Sequence, residues 1–401
     1  MQTKLLPALL ATPEGQEADR ILRSCVHCGF CTATCPTYQL LGDELDGPRG
    51  RIYEIKLALE GEKISQHTQS HLDRCLTCLN CETTCPSGVQ YHRLLDIGRN
   101  YVEQRVSRPL PQKILRWMLR KSLPFTWRVA PLVNLAQAIK PVLPATLAKK
   151  IPVKQTPIHH QNTTHTRKML LLAGCVQPAM TPRTNQATAS VLSKLGIEVI
   201  EAANATCCGA LSQHLNASEE ARRFMRKNID AWWPYIEQGT EAIVITASGC
   251  GAMVKDYAQQ LQHDPAYADK AARISALTRD LCEVISEQDM RKLANGTQRT
   301  IAFHAPCTLQ HAQKLNGRVE SLLRAAGFSL VAVNDSHICC GSAGSYSILQ
   351  PKIANQLKQQ KLRNLQAQQP ELIVTANIGC QLHLQSEASV PVQHWIELFA
   401  S

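Results

Sequence analysis

The apolar residues of this chain follow two different spacings. Short apolar runs, partly β-branched, occur in the C-terminal half and predict buried strands at 169–172, 242–246, 301–303 and 372–375. Apolar residues at helical spacing predict helices over 52–62, 218–233 and 351–368. We therefore predict a mostly helical N-terminal region, followed by a region of alternating strands and helices, which is an α/β arrangement.

The order of elements in the C-terminal half occurs twice, and each copy carries four cysteines, two of them adjacent and followed by Gly. These are Cys175, Cys207, Cys208 and Cys250 in the first copy and Cys307, Cys339, Cys340 and Cys380 in the second. Equivalent cysteines lie 132 residues apart, except for the last pair, which lies 130 apart. This periodicity predicts a duplicated α/β unit, with one Cys-Cys-Gly domain over 166–290 and another over 291–401.

Each of these cysteines falls at the end of a predicted strand or in the Cys-Cys-Gly turn. Because binding sites in parallel α/β units form at the carboxyl ends of strands, the four thiols of each copy are candidate ligands of a cluster or a zinc ion. The alternative is that they are buried as small apolar residues without a metal. Cys282 has no counterpart in the other copy, and we predict that it only packs in the core.

The remaining eight cysteines form two identical patterns in the first hundred residues. Both patterns have the spacing C-x2-C-x2-C-x3-C-P: Cys25, Cys28, Cys31, Cys35 and Pro36, then Cys75, Cys78, Cys81, Cys85 and Pro86. In such pairs of runs, three cysteines hold one [4Fe–4S] cluster and the fourth reaches the other cluster. We therefore assign one cluster to Cys25, Cys28, Cys31 and Cys85, and the other to Cys75, Cys78, Cys81 and Cys35. A zinc ribbon would leave half of these cysteines without a role. The prediction is a ferredoxin-like domain over 1–104 with two [4Fe–4S] clusters.

Seventeen cysteines in 401 residues could also indicate a disulfide framework. The opening sequence lacks the charged and apolar regions of a secretory signal peptide, which favours metal ligands in a reducing, cytoplasmic compartment. No run of eighteen uncharged apolar residues occurs, so no transmembrane helix is expected.

The net charge of +11 is concentrated in one stretch. From Gln104 to Ile197 there are fifteen Lys and Arg residues and neither Asp nor Glu. Leu115, Met118, Leu119 and Leu123 recur there at helical spacing, with Lys113, Arg116 and Arg120 on another face, Trp117 and Trp127 nearby, and breaks expected at Pro124, Pro131 and Pro141. We predict a basic amphipathic linker over 105–165 that either contacts an anionic membrane surface or packs on the domains or a partner subunit. No nucleic-acid-binding motif accompanies the charge, so we expect no nucleic-acid partner.

The sequence contains no motif for an organic cofactor and no nucleophile constellation, so we expect no catalytic residue in this chain. Oxidation of an organic substrate by hydride transfer requires a flavin or a nicotinamide, which a separate subunit would have to supply. The chain is therefore predicted to carry electrons.

The double cysteine run followed by two Cys-Cys-Gly domains resembles the iron–sulfur subunit family of bacterial glycolate oxidase. Related families include iron–sulfur subunits of anaerobic glycerol-3-phosphate dehydrogenase, lactate-utilisation proteins and the Cys-Cys-Gly subunit of heterodisulfide reductase. The segments HAPCTLQH (304–311), CCGSAGSYS (339–347) and NIGCQLHLQ (377–385) look most like the glycolate oxidase member. This resemblance implies an FAD-containing subunit that oxidises glycolate (and D-lactate), a second flavin-binding subunit, and electron delivery to the quinone pool. It also implies a peripheral position on the cytoplasmic side of the bacterial inner membrane.

One departure from the related families concerns catalysis. Heterodisulfide reductase-type domains end their motif in C-x-x-C and hold a catalytic cluster there, whereas Met253 and His383 occupy the last position here. This argues against a catalytic reductase, which stays as one alternative; the other is a subunit of a glycerol-3-phosphate or lactate dehydrogenase. His383 makes the second copy the better candidate for a metal site, because His is a better ligand than Met.

Overall fold

The computed structural model describes residues 1–144, 148–149, 151–158, 164–294 and 299–400. They form two compact units. The first unit comprises Met1–Trp117 and His337–Lys361, and the second comprises Met118–Ser336 and Leu362–Ser401. Residues 145–147, 150 and 159–163 of the predicted linker lie outside the described residues.

The N-terminal part is helical, as predicted. Its helices are α1 (Pro7–Leu10), α2 (Pro13–Ser24), α3 (Phe30–Ala33), α4 (Pro36–Leu41), α5 (Pro48–Leu59), α6 (Gln66–Asp73), α7 (Asn80–Thr83), α8 (Tyr91–Arg105), α9 (Leu110–Ser122) and α10 (Thr126–Ile139). Short 3-10 turns lie at Glu44–Asp46 and Lys140–Val142. The predicted helix over 52–62 overlaps α5 over 52–59, because the helix begins earlier and ends at Leu59.

Strands and helices alternate from residue 167 onward. The first repeat contains β1 (Arg167–Leu171), α11 (Gln177–Met180), α12 (Pro182–Lys194), β2 (Ile197–Ile200), α13 (Ala210–His214), α14 (Ser218–Glu237), β3 (Ala242–Ile245), α15 (Ser248–Lys255), α16 (Tyr257–Gln260), α17 (Ala268–Leu277), β4 (Thr278–Asp280), α18 (Leu281–Val284) and α19 (Glu287–Leu293). The second contains β5 (Thr300–His304), a π-helical turn (Thr308–Ala312), α20 (Arg318–Ala325), β6 (Ser329–Leu330), α21 (Tyr346–Leu349), α22 (Pro351–Gln366), β7 (Leu372–Thr375), α23 (Ile378–Gln385), β8 (Val392–His394) and a 3-10 turn (Trp395–Phe399).

The strands form two four-stranded parallel sheets with equivalent orders, β2-β1-β3-β4 and β6-β5-β7-β8. The central strands are in register with Met169 beside Ala242 in one sheet and Ile301 beside Leu372 in the other. All four predicted strands are present, and the repeated α/β fold class is confirmed.

The two sheets share one hydrophobic core within the second unit. Leu171 and Val244 from the first sheet and Phe303 and Val374 from the second belong to it, together with the buried Trp395. Burial of each such side chain stabilises the fold by about 1.5–3 kcal/mol. The predicted boundary at 290/291 therefore lies between two sequence repeats, and the apolar faces of these repeats are buried in one common core. Cys282 lies in this core, as its unpaired position in the repeat suggested.

The segments that follow the central strands of the two repeats are joined by hydrogen bonds. The backbone N–H of Ser248, at the start of α15, donates to the carbonyl of Ala376, just before α23, over 3.0 Å. His394 Nε2 lies 3.0 Å from the carbonyl of Thr246 and donates to it. Burial lowers the pKa of His394 to about 4, so the imidazole stays neutral there. The carboxyl ends of β3 and β7, where each repeat places a cysteine, are thus held beside each other.

The core of the first unit is formed by α2, α5 and α8. Ile21, Ile55 and Leu94 are almost completely buried in it. Gly98 allows α5 and α8 to approach closely, because a Cβ atom at that position would lie 2.5 Å from Ile55 Cγ1. These three helices fix the loops that carry the two cysteine runs.

Candidate metal centres

The two cysteine runs line two neighbouring cavities in the first unit. The first cavity is lined by Cys25, Cys28, Cys31 and Cys85, together with Cys81. The second cavity is lined by Cys35, Cys75, Cys78 and Cys81. The fourth cysteine of each run thus lies with the first three of the other run. Pro48, Cys81 and Tyr91 belong to both walls, so the cavities are direct neighbours.

The same backbone turns shape the two runs. His27 and Gly29 in the first run have positive φ angles of 59° and 87°, and the equivalent Thr77 and Leu79 in the second have 52° and 61°. This left-handed conformation is uncommon for residues other than Gly and costs free energy. Its repetition at matching positions turns three successive thiols of each run toward one cavity. Of these four residues, Gly29 is the only one whose type indicates a left-handed backbone in the sequence.

The buried thiols resist ionisation when no cation is near them. Burial and neighbouring cysteines raise the pKa of Cys31 to about 11, and they raise that of Cys81 well above its ordinary value. Closely spaced thiolates of this kind require compensating positive charge, which iron ions supply when they bind and displace the protons. Four converging thiols in each cavity match the ligand set of a [4Fe–4S] cluster.

The four cysteines of the first repeat also lie together. These thiols influence one another's ionisation. Cys207 and Cys250 lower the pKa of Cys208 well below its ordinary value, while interactions with neighbouring cysteines and burial raise the pKa of Cys207 and Cys250. The arrangement therefore favours one thiolate within the set.

Buried polar groups hold the backbone of this cysteine set in place. Gly209 follows the adjacent cysteines with a φ of 91°, in the left-handed region that Gly adopts readily. The carbonyls of three of the cysteines accept side-chain hydrogen bonds: Thr126 to Cys175 at 2.7 Å, Asn228 to Cys207 at 3.0 Å and Tyr257 to Cys208 at 2.9 Å.

The cysteines of the second repeat are divided between the two units. Cys339 and Cys340 belong to the first unit and are buried there. Gly341, with a φ of 87°, lies so close to α22 that a Cβ atom would be 2.6 Å from the carbonyl oxygen of Ala354. The following Tyr346 donates to the carbonyl of Arg74 over 2.9 Å, which ties this segment to the second cysteine run.

Cys307 and Cys380 belong to the second unit. Cys307 precedes the π-helical turn, and Cys380 lies in the first turn of α23, where Asn377 donates to its sulfur over 3.4 Å. A ring nitrogen of His304 lies within 4.8 Å of the Cys380 sulfur. Sequence reasoning considered His383 as the nearby imidazole and missed His304, although it precedes Cys307 by three residues.

Known proteins with the same domains identify the family. The protein family described as "4Fe-4S dicluster domain" matches residues 21–89, and the family described as "Cysteine-rich domain" matches residues 169–255 and 301–385. The glycolate oxidase iron-sulfur subunit of Escherichia coli (strain K12) is 56% identical over 401 residues, which cover 99% of this chain and 98% of that protein. The chain belongs to the glycolate oxidase iron–sulfur subunit family.

More distant relatives share these domains. The probable glycolate oxidase iron-sulfur subunit of Bacillus subtilis is 27% identical, over 91% of this chain and 88% of that protein. Lactate utilization protein A of Bacillus velezensis is 24% identical over 58% of this chain and 99% of its own length. The resemblance inferred from the cysteine motifs is confirmed, and iron–sulfur clusters of the 4Fe–4S type are the cofactors of this family's N-terminal domain.

The structure of the linker region differs in part from what its sequence predicted. Two helices, α9 and α10, lie in its first part, and Pro131 lies inside α10 instead of ending a helix. Arg116, expected on a free basic face, is buried and bonds to Asp73 at 3.0 Å. Lys121 bonds to Glu220 at 2.7 Å, and Arg120 lies 3.7 Å from the same carboxylate.

The apolar side of these helices is largely exposed. Of the predicted apolar stripe, Leu119 is buried, whereas Met118 is 52% exposed. Further large apolar side chains are exposed on the same two helices: Leu110, Ile114, Trp117, Trp127, Leu132, Leu135 and Ile139. In the part of the chain that the structure describes, no helix is long and apolar enough to cross a membrane.

Proposed function

We propose that this chain is the electron-transfer subunit of a glycolate-oxidising complex, and that it carries single electrons from the flavin of a partner subunit toward the quinone pool. The observation that supports this most strongly is the pair of adjoining four-cysteine cavities in the first unit. Substrate oxidation is assigned to the partner, because the chain has no motif for a flavin or nicotinamide.

The proposed ligands are crossed between the two runs. Cys25, Cys28, Cys31 and Cys85 hold one [4Fe–4S] cluster, and Cys75, Cys78, Cys81 and Cys35 hold the other. When bound, these clusters supply transfer of one electron at a time. The shared wall of Pro48, Cys81 and Tyr91 keeps the two sites close, which suits transfer between them.

The substrate and partners are proposed from the relatives. The protein of Escherichia coli is named as a glycolate oxidase subunit and shares 56% identity over nearly the full length. We therefore assign glycolate as the substrate of the complex, with an FAD-containing subunit and a second flavin-binding subunit as partners. A lactate- or glycerol-3-phosphate-oxidising complex is the second candidate; the similarity to lactate utilization protein A favours lactate between these two.

Anaerobic reduction tests this assignment. The purified full chain would be mixed with its flavoprotein subunits, and bleaching of cluster absorbance would be followed after addition of glycolate, D-lactate or glycerol 3-phosphate. We expect rapid bleaching by glycolate only when the flavoprotein is present, and reoxidation by a soluble quinone. The proposal would be contradicted if glycerol 3-phosphate were the one substrate that bleached the clusters, or if glycolate bleached them without the flavoprotein.

The Cys-Cys-Gly repeats are proposed as additional metal sites. In the first repeat, the mutual influence of the four thiols and their anchored carbonyls support a cluster or zinc site of Cys175, Cys207, Cys208 and Cys250. For the second repeat, Cys307, Cys339, Cys340 and Cys380 stay candidates on the sequence pattern alone, and His304 is added because it lies beside Cys380 within the second unit. Because Met253 is a poor ligand, we expect the second site to bind its metal more tightly.

We also propose that α9 and α10 lie on an anionic membrane surface at the cytoplasmic side of the inner membrane. Their exposed apolar side chains include Trp117 and Trp127, at 56% and 68% exposure, and no Asp or Glu occurs between Gln104 and Ile197. Exposed apolar side chains combined with positive charge are typical of helices at lipid interfaces.

Vesicle binding tests this placement. The paired change Trp117→Ser with Trp127→Ser should strongly reduce co-sedimentation with anionic vesicles, and Ile348→Ser, which removes a 48% exposed apolar side chain in another helix, should not. Basic residues such as Arg116 are unsuitable for this test, because their replacement would break ion pairs within the protein. Unchanged binding of the Trp variant would contradict the membrane proposal.

A further inference from the structure

Helix α5 contributes one arginine to each cluster cavity. Arg49 lines the first cavity, and Arg51, two residues later, lines the second. The Arg49 side chain is 35% exposed and forms an ion pair of 2.6 Å with Glu44, which is itself exposed to solvent. The Arg51 side chain is only 1% exposed. Two cations of the same type therefore lie beside the two cavities in very different surroundings.

Two of the three neighbours that hold Arg51 are uncharged acceptors, and the third, Asp46, also pairs with other cations. Its Nε donates to the carbonyl of His71 over 2.8 Å, and its Nη1 donates to the hydroxyl of Thr37 over 3.2 Å. Its Nη2 lies 3.5 Å from Asp46 Oδ1, beyond a good hydrogen bond, and has no hydrogen-bond partner among the described residues. Sulfur atoms of a cluster are acceptors that such an N–H group could serve.

The surroundings of the second cavity carry an excess of positive charge. Asp46 is shared, because Arg74 bonds to its other oxygen at 2.8 Å and His71 Nδ1 lies 2.9 Å from Oδ1. A further buried guanidinium, that of Arg99, donates to the carbonyl of Cys75 over 2.9 Å. Arg51 and Arg74 thus lie near Asp46, and burial raises the pKa of Glu54, another carboxyl close to Arg51, to about 7. Near the first cavity, Arg49 and Glu44 balance each other.

Reduction of a cluster adds one negative charge to it. A buried cation stabilises that charge strongly, because the protein interior screens it little, while solvent weakens the effect of an exposed cation. Charge and hydrogen bonds around the sulfurs are among the factors that set cluster potentials. The reduced form should therefore be more stable in the second cavity than in the first.

We propose that Arg51 sets the reduction potential of the cluster in the second cavity above that of the cluster in the first, so that electrons collect at the second site. This inference rests on the proposed function, since it requires clusters in both cavities. Arg51 acts here by its charge on the neighbouring cofactor site.

A redox titration followed by electron paramagnetic resonance of the full chain tests the proposal. Arg51→Gln should shift one of the two cluster potentials to a more negative value and leave the other nearly unchanged. Arg49→Gln is the matched control on the same helix and should move neither potential by a comparable amount. Arg51→Lys retains the charge, so the potential of its cluster should stay close to the wild-type value. Cys28→Ser identifies which signal belongs to the cluster in the first cavity.

A variant of the opposing charge separates electrostatics from folding. Asp46→Asn removes the carboxylate beside Arg51 and should shift the same potential in the positive direction. Two buried variants with opposite shifts cannot both result from loosened structure. Equal potentials in the wild type, or shifts of one sign in both variants, would overturn the inference while leaving two clusters in place. Absence of one cluster's iron from the wild type would instead overturn the proposed function.

Discussion

The two cysteine runs have the same spacing and the same left-handed turns, yet they lie in different environments. Around the first run, Cys28 is exposed, and Val26 and Phe30 are 67% and 62% exposed. In the second run, Cys78 and Cys81, the equivalents of Cys28 and Cys31, are buried, and only the first and fourth cysteines of the first run are buried. The comparison shows that the motif determines where thiols converge, whereas helices distant in sequence determine the burial and charge around them.

Ligand exchange between the runs gives the largest expected effect. Cys35→Ser should remove or convert the cluster held mainly by the second run, and Cys85→Ser should affect the one held mainly by the first, because each lies in the cavity of the other run. Iron content and the spectra of the remaining cluster would be measured anaerobically. Loss of the cluster within the mutated run itself would show that the ligands are not crossed.

The second largest expected effect is a loss of stability when the buried ion pairs beside the second run are broken. Asp73, two residues before Cys75, accepts hydrogen bonds from Arg108 Nη2 and Arg116 Nη2, both at 3.0 Å, and these arginines lower its pKa despite its burial. Asp73→Ala should reduce the free energy of unfolding by roughly 3–5 kcal/mol, because it removes the carboxylate that the buried Arg108 and Arg116 share and leaves Arg108 with Glu103 alone.

The matched control for this change lies before the first run. Asp19 pairs with Arg23, whose side chain is 58% exposed, and accepts one hydrogen bond from Thr3, so Asp19→Ala should cost only about 1–2 kcal/mol. Denaturant midpoints of the anaerobic, cluster-loaded chains would be compared. Equal losses in the two variants would contradict the view that the second run has the stronger ionic anchor.

The smallest expected effect concerns pH. Burial raises the pKa of Glu54, on α5, to about 7, whereas its ordinary value is 4.5. Between these values the folded chain binds a proton that the unfolded chain has lost, so this contribution to stability is present below 4.5 and is lost as pH rises through about 7. Glu54→Gln should therefore gain stability relative to wild type as the pH rises across roughly 5 to 8. A parallel pH dependence of the two denaturant midpoints would contradict this.

Local sequence patterns predicted the elements that depend on local chemistry. The β-branched runs at 242–246 and 372–375 became central strands because parallel sheets bury both faces of such runs. The four-cysteine spacing predicted which thiols would lie together, because short loops leave them few other positions. The helix over 218–233 was predicted from its apolar spacing and lies within α14.

Features that depend on tertiary contacts were not predictable. Nothing in the sequence marked Arg116 for burial, since its partner Asp73 lies 43 residues away. Thr77 and Leu79 adopt left-handed turns that their side chains disfavour, and only the cavity they enclose explains them. The common core of the two repeats was likewise not predictable. The apolar pattern of each repeat shows that its strands are buried, but it does not show that they pack against the other repeat.

Iron and acid-labile sulfide analysis of the anaerobically purified full chain, combined with electron paramagnetic resonance after reduction, tests the central claim most directly. A variant that combines Cys207→Ser with Cys380→Ser would be included to remove metal bound in both Cys-Cys-Gly repeats. Two [4Fe–4S] clusters predict that roughly eight irons and eight sulfides persist in this double variant, with signals of two interacting clusters. Zinc in place of iron, or roughly four irons with a single isolated signal, would contradict the account.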